Sequence, residues 1–189
     1  MKNSHETKKL LSNSLKELMK EKSVEKISIR EITDLAGLNR QTFYYHFEDI
    51  YDLMKWTFQL EALVLINVHE NAKVWQEGLL QLFYYLHENR TICLRALQSL
   101  GHEHIKRFFY SDIHNIVHRI VYDFGKKFQA QEDYLSFLSH FFTLAVGSLA
   151  ESWLNGEMDQ SPEEIVDMID LFIQDHLRGA ELRIANNKG

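Results

Sequence analysis

The spacing of apolar residues divides the chain into segments with the period of an amphipathic helix. In residues 7–22, Leu11, Leu15 and Met19 fall within half of the helix circumference, and lysines lie on the opposite side. No segment alternates between apolar and polar residues as a half-buried strand would. Further helices are predicted from Asp49 to about residue 69, over 74–89, 91–100, 102–127 (with a break left open) and 132–154, and from Pro162 onward. The pattern therefore predicts an all-α fold.

Strong helix-start and helix-end residues follow the first helix. Ser28 and Glu31 form a capping box, which satisfies backbone N–H groups that a first helical turn leaves unpaired. Gly37 supplies a left-handed cap at the end of that helix. Asn39 then caps a short helix over Arg40–His46. Two capped helices joined by a tight glycine turn predict a helix-turn-helix motif.

The second helix of this motif presents a polar arc. Phe43 points towards a core, and four polar side chains cover roughly 140° of the helical wheel on the other side: Arg40, Gln41, Tyr44 and Tyr45. In the major groove, arginine can bind guanine through two hydrogen bonds, and glutamine can bind adenine in the same way. The alternative interpretation is that the tyrosines pack in the protein and that the arginine is merely solvated. Because the caps, the turn and the arc agree, we favour DNA recognition.

The carboxy-terminal helices carry more apolar surface than one chain needs. The helix over 132–154 is apolar almost all round, so it must be covered on both sides, and a partner subunit is a natural cover. The last helix begins at a second capping box, Ser161 and Glu164, and adds its own apolar stripe. An ordinary intramolecular core is the alternative. The candidate dimer interface comprises Phe141, Leu144, Ala145, Ser148, Leu149, Met168, Ile169 and Phe172.

Charge is distributed unevenly along the 189 residues, whose formal net charge is −6. Residues 1–55 carry ten Lys/Arg and nine Asp/Glu, whereas the remainder carries eleven and eighteen. An acidic body repels phosphate, while a near-neutral head can approach DNA through a local basic face. The lone Cys93 excludes an internal disulfide and is interpreted as a small buried hydrophobe. Without a long apolar run or a signal-peptide pattern, we expect a cytoplasmic protein with no membrane partner.

The sequence contains no recognisable catalytic or metal-binding pattern. There is no Gly-rich phosphate loop and no convincing nucleophile–base pair, so neither an enzyme nor a cofactor is predicted. His114 and His118 lie four residues apart on a helix, with His102 and His104 upstream, but a zinc site needs further ligands placed by the fold. We predict no metal site. Aromatic residues of the body can line a ligand cavity or form core, and both interpretations stay open; they include Trp56, Phe58, Trp75, Phe83, Phe108 and Phe109.

The helix-turn-helix segment also resembles the DNA-binding head of TetR-type regulators. The resemblance covers roughly residues 8–55 and rests on Ala36-Gly37-Leu38, Asn39-Arg40-Gln41, Thr42-Phe43-Tyr44 and Tyr45-His46-Phe47, with residues 27–32 upstream. It implies base or groove contacts from Arg30, Arg40, Gln41 and Tyr44. It implies phosphate contacts from Ser28, Thr42, Tyr45 and His46. The family usually has a lysine at the start of the fourth helix, where this chain has Glu48-Asp49-Ile50, so phosphate binding is expected to rest more on the amino-terminal lysines.

These features together predict a DNA-binding domain over 1–50 and a sensing and dimerisation domain over 51–189, with a four-helix dimer interface implied by the resemblance. We expect a dimeric repressor whose two heads read a near-palindromic double-stranded operator about 34–36 Å apart. An unknown small-molecule inducer would release it. The first alternative is an activator controlled by a protein partner, as expected for a body of the type that controls dihydroxyacetone-kinase operons. A helical interaction module that does not bind DNA is the remote alternative.

Overall fold

The computed structural model describes residues 4–63, 75–99, 101–127 and 130–186, and these ranges contain helices and no strand. The all-α prediction is confirmed. The helices are α1 (Ser4–Glu21), α2 (Ile29–Ala36), α3 (Arg40–His46), α4 (Ile50–Phe58), α5 (Trp75–Glu88), α6 (Arg90–Ser99), α7 (Gly101–Lys127), α8 (Glu132–Asn155) and α9 (Pro162–Asn186). In the part of the chain that is described, every helix is too short or too polar to cross a membrane.

Most predicted boundaries agree with these helices, and three details differ. Helix α7 runs without the break that was left open. A short 3₁₀ turn, Val24–Lys26, precedes α2 and was not predicted. Regular helix α4 ends at Phe58 and passes directly into a π-helical turn over Gln59–Leu63, so the helix expected to about residue 69 is not α-helical throughout. The predicted end of that helix lies outside the described residues.

The chain divides into two compact units. The first comprises the described residues of 1–64 and 88–108, and the second comprises those of 65–87 and 109–189. Helices α1 to α4 and α6 therefore belong to the first unit, while α8 and α9 belong to the second. The functional boundary expected at residue 50 stays a prediction, because compactness alone does not assign function.

The core of the first unit combines the apolar faces of α1 to α4 with that of α6. Leu15 of α1, Ile32 of α2 and Leu53 of α4 are fully buried, as the helical spacing predicts. The hydroxyl of Thr57 donates a hydrogen bond of 2.9 Å to the buried hydroxyl of Ser12, which joins α4 to α1 across 45 residues of sequence. This core fixes the position of α2 and α3 through their buried residues Ile32 and Phe43.

In the second unit, the turn between α8 and α9 is specified at several points. Gly156 has a φ of 79°, a left-handed conformation that ends α8. The indole of Trp153 donates a hydrogen bond of 2.8 Å to the carbonyl of Gln160 on the far side of the turn. Ser161 and Glu164 then form the predicted capping box at the start of α9. The turn therefore sets where α9 begins relative to the end of α8.

Candidate nucleic-acid interface

The amino end of α2 is held by the predicted capping box. The Ser28 hydroxyl accepts a hydrogen bond from the Glu31 backbone, and the Glu31 carboxylate accepts one of 2.9 Å from the Ser28 backbone. Lys22 donates to the same carboxylate. That hydrogen bond, together with those from Ser28, lowers the pKa of Glu31 to about 2. The carboxylate is therefore charged at any physiological pH, which keeps the cap formed.

The turn between α2 and α3 is determined by Gly37. Its φ of 65° is left-handed, and its N–H donates to the carbonyl of Asp34 while the next N–H, of Leu38, donates 2.9 Å to the carbonyl of Thr33. These two hydrogen bonds form a Schellman motif, which satisfies carbonyls that the helix end would otherwise leave unpaired. The Asn39 side chain then accepts a 2.8 Å hydrogen bond from the Thr42 backbone and starts α3. The predicted helix-turn-helix is present.

Helix α3 turns the predicted polar arc away from the core. Phe43 is fully buried, whereas Tyr44 is 60% exposed and Tyr45 is 83% exposed. Arg40 and Gln41 are also exposed. Two phenols exposed to this extent contribute little to packing, so the exposed face of α3 is available for a partner that accepts hydrogen bonds. Exposure does not test which base or phosphate each of these residues contacts, so the predicted DNA contacts stay predictions.

The remaining predicted contact residues are nearby and partly engaged. Arg30 lies on the exposed side of α2 and forms a 3.4 Å ion pair with Asp34 one turn later. The hydroxyls of Ser28 and Thr42 each donate a hydrogen bond to a capping partner, at 2.8 and 3.0 Å. Each hydroxyl oxygen still has acceptor capacity, but binding a phosphate would need the proton to turn outward.

His46, at the carboxyl end of α3, is half-buried, and its surroundings keep it neutral. Partial burial and the nearby charge of Lys8 both lower the pKa of His46 below its usual 6.5. A phosphate beside the ring would act in the opposite direction, since an anion stabilises the imidazolium form. The predicted phosphate contact of His46 is therefore one that would strengthen as the pH falls.

One residue near α3 acquires its position only through the fold. The ammonium of Lys8 lies over two aromatic rings, 5.3 Å from the ring centroid of Phe47 and 5.7 Å from that of Trp56. The sequence indicates a general role for amino-terminal lysines but not this placement, because 39 residues separate Lys8 from Phe47. Trp56 and Phe58, considered above as cavity or core residues, pack in the first unit.

The second unit exposes the apolar face that the sequence assigns to dimerisation. On α8, Phe137 is 63% exposed and Phe141 and Leu144 are exposed, while the inward side carries the buried polar residues Ser139 and Thr143. On α9, the exposed apolar residues are Met168, Leu171, Phe172 and, nearer its carboxyl end, Leu182. The remaining members of the predicted set are exposed (Ala145, Ser148) or half-buried (Leu149, Ile169). All eight are therefore at least partly accessible in one chain.

The histidines that invite a metal hypothesis make aromatic and hydrogen-bond contacts instead. Tyr110 stacks on His114, and His118 stacks on Tyr122 at 3.9 Å between ring centroids. The His114 ring also lies 3.2 Å from the hydroxyl of Thr143. Among the described side chains no three potential ligands are grouped as a metal site needs. The side chains of His102, His104, Phe108 and Phe109 lie outside the described residues.

Two family models match the chain. Residues 14–55 match the model for bacterial regulatory proteins of the tetR family. Residues 73–175 match a model for a transcriptional regulator C-terminal region. Together they cover the helix-turn-helix unit and the greater part of the body.

Two relatives agree with the family models. The chain is 31% identical over 127 residues to the HTH-type dhaKLM operon transcriptional activator DhaS of Lactococcus lactis subsp. lactis (strain IL1403), and the match covers 67% of each protein. A solved structure of the dihydroxyacetone kinase operon activator DhaS superposes with a TM-score of 0.73 at 26% identity, covering 91% of this chain and 96% of that one.

All of these matches are to transcription regulators, which confirms the expectation that the chain is not an enzyme. The chain belongs to the TetR family of DNA-binding transcriptional regulators.

Proposed function

We propose that the chain acts as a homodimeric transcriptional activator that binds a near-palindromic operator through the α2–α3 motif of each subunit. The observation that carries this proposal is the exposed arc of α3, where Tyr44 and Tyr45 face solvent beside Arg40 and Gln41. If the side chains at these positions were buried or paired, α3 could not use them to contact base edges in a groove. Capped ends and a buried Phe43 hold the arc in place.

The exposed face of α8 and α9 supports the dimer. Phe142 of α8 and Phe172 of α9 pack edge to face at 6.1 Å, so the apolar residues of the two helices adjoin one another. Exposed apolar side chains that adjoin one another often mark interaction sites. A second copy of the same face would cover it, and a two-fold pair of heads would match a two-fold operator.

The direction of regulation is proposed from the relatives. Both are named as operon activators. Their names favour activation over the repression expected from the sequence, and they make an operon for dihydroxyacetone phosphorylation the first regulatory target to examine. A repressor remains the competing prediction, since the same head and dimer serve either direction.

The first experiment is selection of bound duplexes from a random DNA pool at physiological salt, because phosphate contacts depend strongly on salt. We expect enrichment of a near-palindrome whose half-sites are centred about one helical turn, or a small multiple of one, apart. The selected site would then be placed upstream of a reporter gene. Increased expression supports the activator, decreased expression supports the repressor, and a folded dimer that enriches no motif contradicts the proposed function.

The controlling agent is tested on the same operator. If a small molecule controls the protein, the operator affinity of the purified dimer should change when that metabolite is added. A protein partner predicts that operator affinity is unchanged by metabolites and that reporter expression depends on a second protein. Dihydroxyacetone and its phosphate are the first compounds to add, given the names of the relatives.

A further inference from the structure

Lys8 differs from the other described lysines of α1 and its carboxyl end in lying over two aromatic rings, and like Lys9 it forms no ion pair with a described carboxylate. Three of those lysines form ion pairs: Lys16 with Glu61, Lys20 with Glu17 and Lys22 with Glu31. Among the described residues, no carboxylate lies within ion-pair distance of Lys8, whose contacts are with the rings of Phe47 and Trp56. Its positive charge is therefore placed by aromatic rings and is not neutralised.

These rings hold the ammonium at a defined position. Phe47 is buried and provides the carboxyl cap of α3, and it packs against Trp56 with 5.9 Å between ring centroids. Lys8 is half-buried, and a lysine in such a position typically packs its aliphatic stem on the protein and keeps its charged end in water. A cation over two rings is attracted by their electron-rich faces and loses conformational freedom before any partner arrives. The charge is thereby held beside the end of α3.

The groups around the Lys8 ammonium are negative, so a cation at this position reduces the repulsion between the protein and an approaching DNA backbone. The carboxyl end of α3 carries partial negative charge, and the exposed Glu48 and Asp49 follow it directly. The Asp49 carboxylate accepts a 2.8 Å hydrogen bond from the Asp52 backbone, so it caps α4 and still repels phosphate. Lys8 acts against this repulsion. Partial burial, and after it the charge of Lys8, lower the pKa of the neighbouring His46.

We propose that Lys8 binds a backbone phosphate of duplex DNA beside the carboxyl end of α3. The inference rests on the proposed function, in which α3 enters the major groove. A phosphate contact is independent of base identity, so Lys8 sets the affinity for DNA in general and the arc of α3 sets the sequence preference.

The test uses Lys8→Met, which removes the charge and keeps an unbranched side chain to pack on Phe47 and Trp56. Affinity for the selected operator is measured from about 50 to 300 mM salt. Each lost phosphate contact should make the slope of log affinity against log salt shallower by about 0.9 per bound head. At physiological salt we expect roughly three- to tenfold weaker binding, equal for operator and unrelated duplex.

Two matched variants make the result specific. Lys20→Met removes one charge from the same helix, at an exposed pair with Glu17, and is expected to leave the slope unchanged. Lys8→Arg keeps the charge over the rings and is expected to retain the wild-type slope. A thermal unfolding midpoint for each variant confirms that the head is folded.

The outcomes separate this inference from the proposed function. A wild-type chain that binds no duplex overturns both. A wild-type chain that binds its operator, with Lys8→Met giving the same salt slope or the same loss as Lys20→Met, overturns the phosphate contact alone. A shallower slope in Lys8→Met that Lys8→Arg restores supports it.

Discussion

The head and the carboxy-terminal helices arrange polar and apolar residues in opposite ways. In α3 the apolar Phe43 is inside and the polar arc is outside. In α8 the polar Ser139 and Thr143 are inside, where their hydroxyls donate to carbonyls of their own helix, and Phe137 and Phe141 are outside. The contrast teaches that exposed residues indicate the chemistry that each surface is suited to meet: hydrogen-bond acceptors for α3, and another apolar surface for α8 and α9.

The largest effect is expected from reversing the apolar character of the carboxy-terminal face. The double variant Phe141→Glu/Phe172→Glu should weaken dimerisation at least roughly a hundredfold, because each carboxylate would be desolvated without a partner. Sedimentation velocity over a range of concentrations measures the monomer–dimer equilibrium. Leu35→Glu changes an exposed leucine in the first unit and should leave the dimer intact. An unchanged equilibrium in the double variant would mean that this face does not form the dimer.

A smaller effect is expected from removing one group of the polar arc. Tyr44→Ala should weaken binding to the selected operator by about 1–3 kcal/mol, roughly 10- to 100-fold, since a groove contact is lost. Because Tyr44 is 60% exposed, the free energy of unfolding should change by no more than about 0.5 kcal/mol. Fluorescence anisotropy with labelled operator measures the first quantity and urea unfolding the second.

The control for this prediction is Tyr84→Ala, which removes an exposed phenol that donates to Glu163 in the second unit. It should leave operator affinity unchanged. If Tyr44→Ala instead unfolded the head or separated the dimer, the assignment of Tyr44 to a DNA-facing surface would be wrong.

The smallest effect is expected at Gly37, in the turn that orients the polar arc of α3. A methyl group added at Gly37 meets no atom within 4 Å, so Gly37→Ala introduces no clash and reports only the left-handed φ of 65°. We expect a loss of about 1 kcal/mol in the free energy of unfolding. Gly37→Asn should lose less, because asparagine tolerates this conformation better. If the wild type, Gly37→Ala and Gly37→Asn had the same free energy of unfolding in urea, the turn would have relaxed out of the left-handed region.

The parts of this structure that are predictable from sequence are local. Ser28, Gly37 and Asn39 act within four residues of their partners, so their spacing alone predicts α2, the turn and α3. Lys8 over Phe47 and the hydrogen bond between Thr57 and Ser12 depend on how helices pack, and no local pattern encodes them.

The exposed face of α8 shows a different limit of sequence patterns. Helix α8 carries apolar residues around most of its circumference, so periodicity predicts that it needs cover without telling which side faces inward. The structure turns Ser139 and Thr143 inward, because each hydroxyl satisfies its hydrogen bond on its own helix and is small enough for close packing. Phe141 is thereby left to the outside.

The turn between α8 and α9 has a consequence for how such a surface can change over generations. Gly156, the bond from Trp153 to Gln160 and the cap at Ser161 hold the turn at one length. One inserted residue in α9 would rotate everything after it by about 100° and carry Phe172 away from Phe142. Point substitutions on the exposed face can therefore accumulate without disturbing how α8 and α9 pack, whereas insertions and deletions would put the two helices out of phase and be selected against.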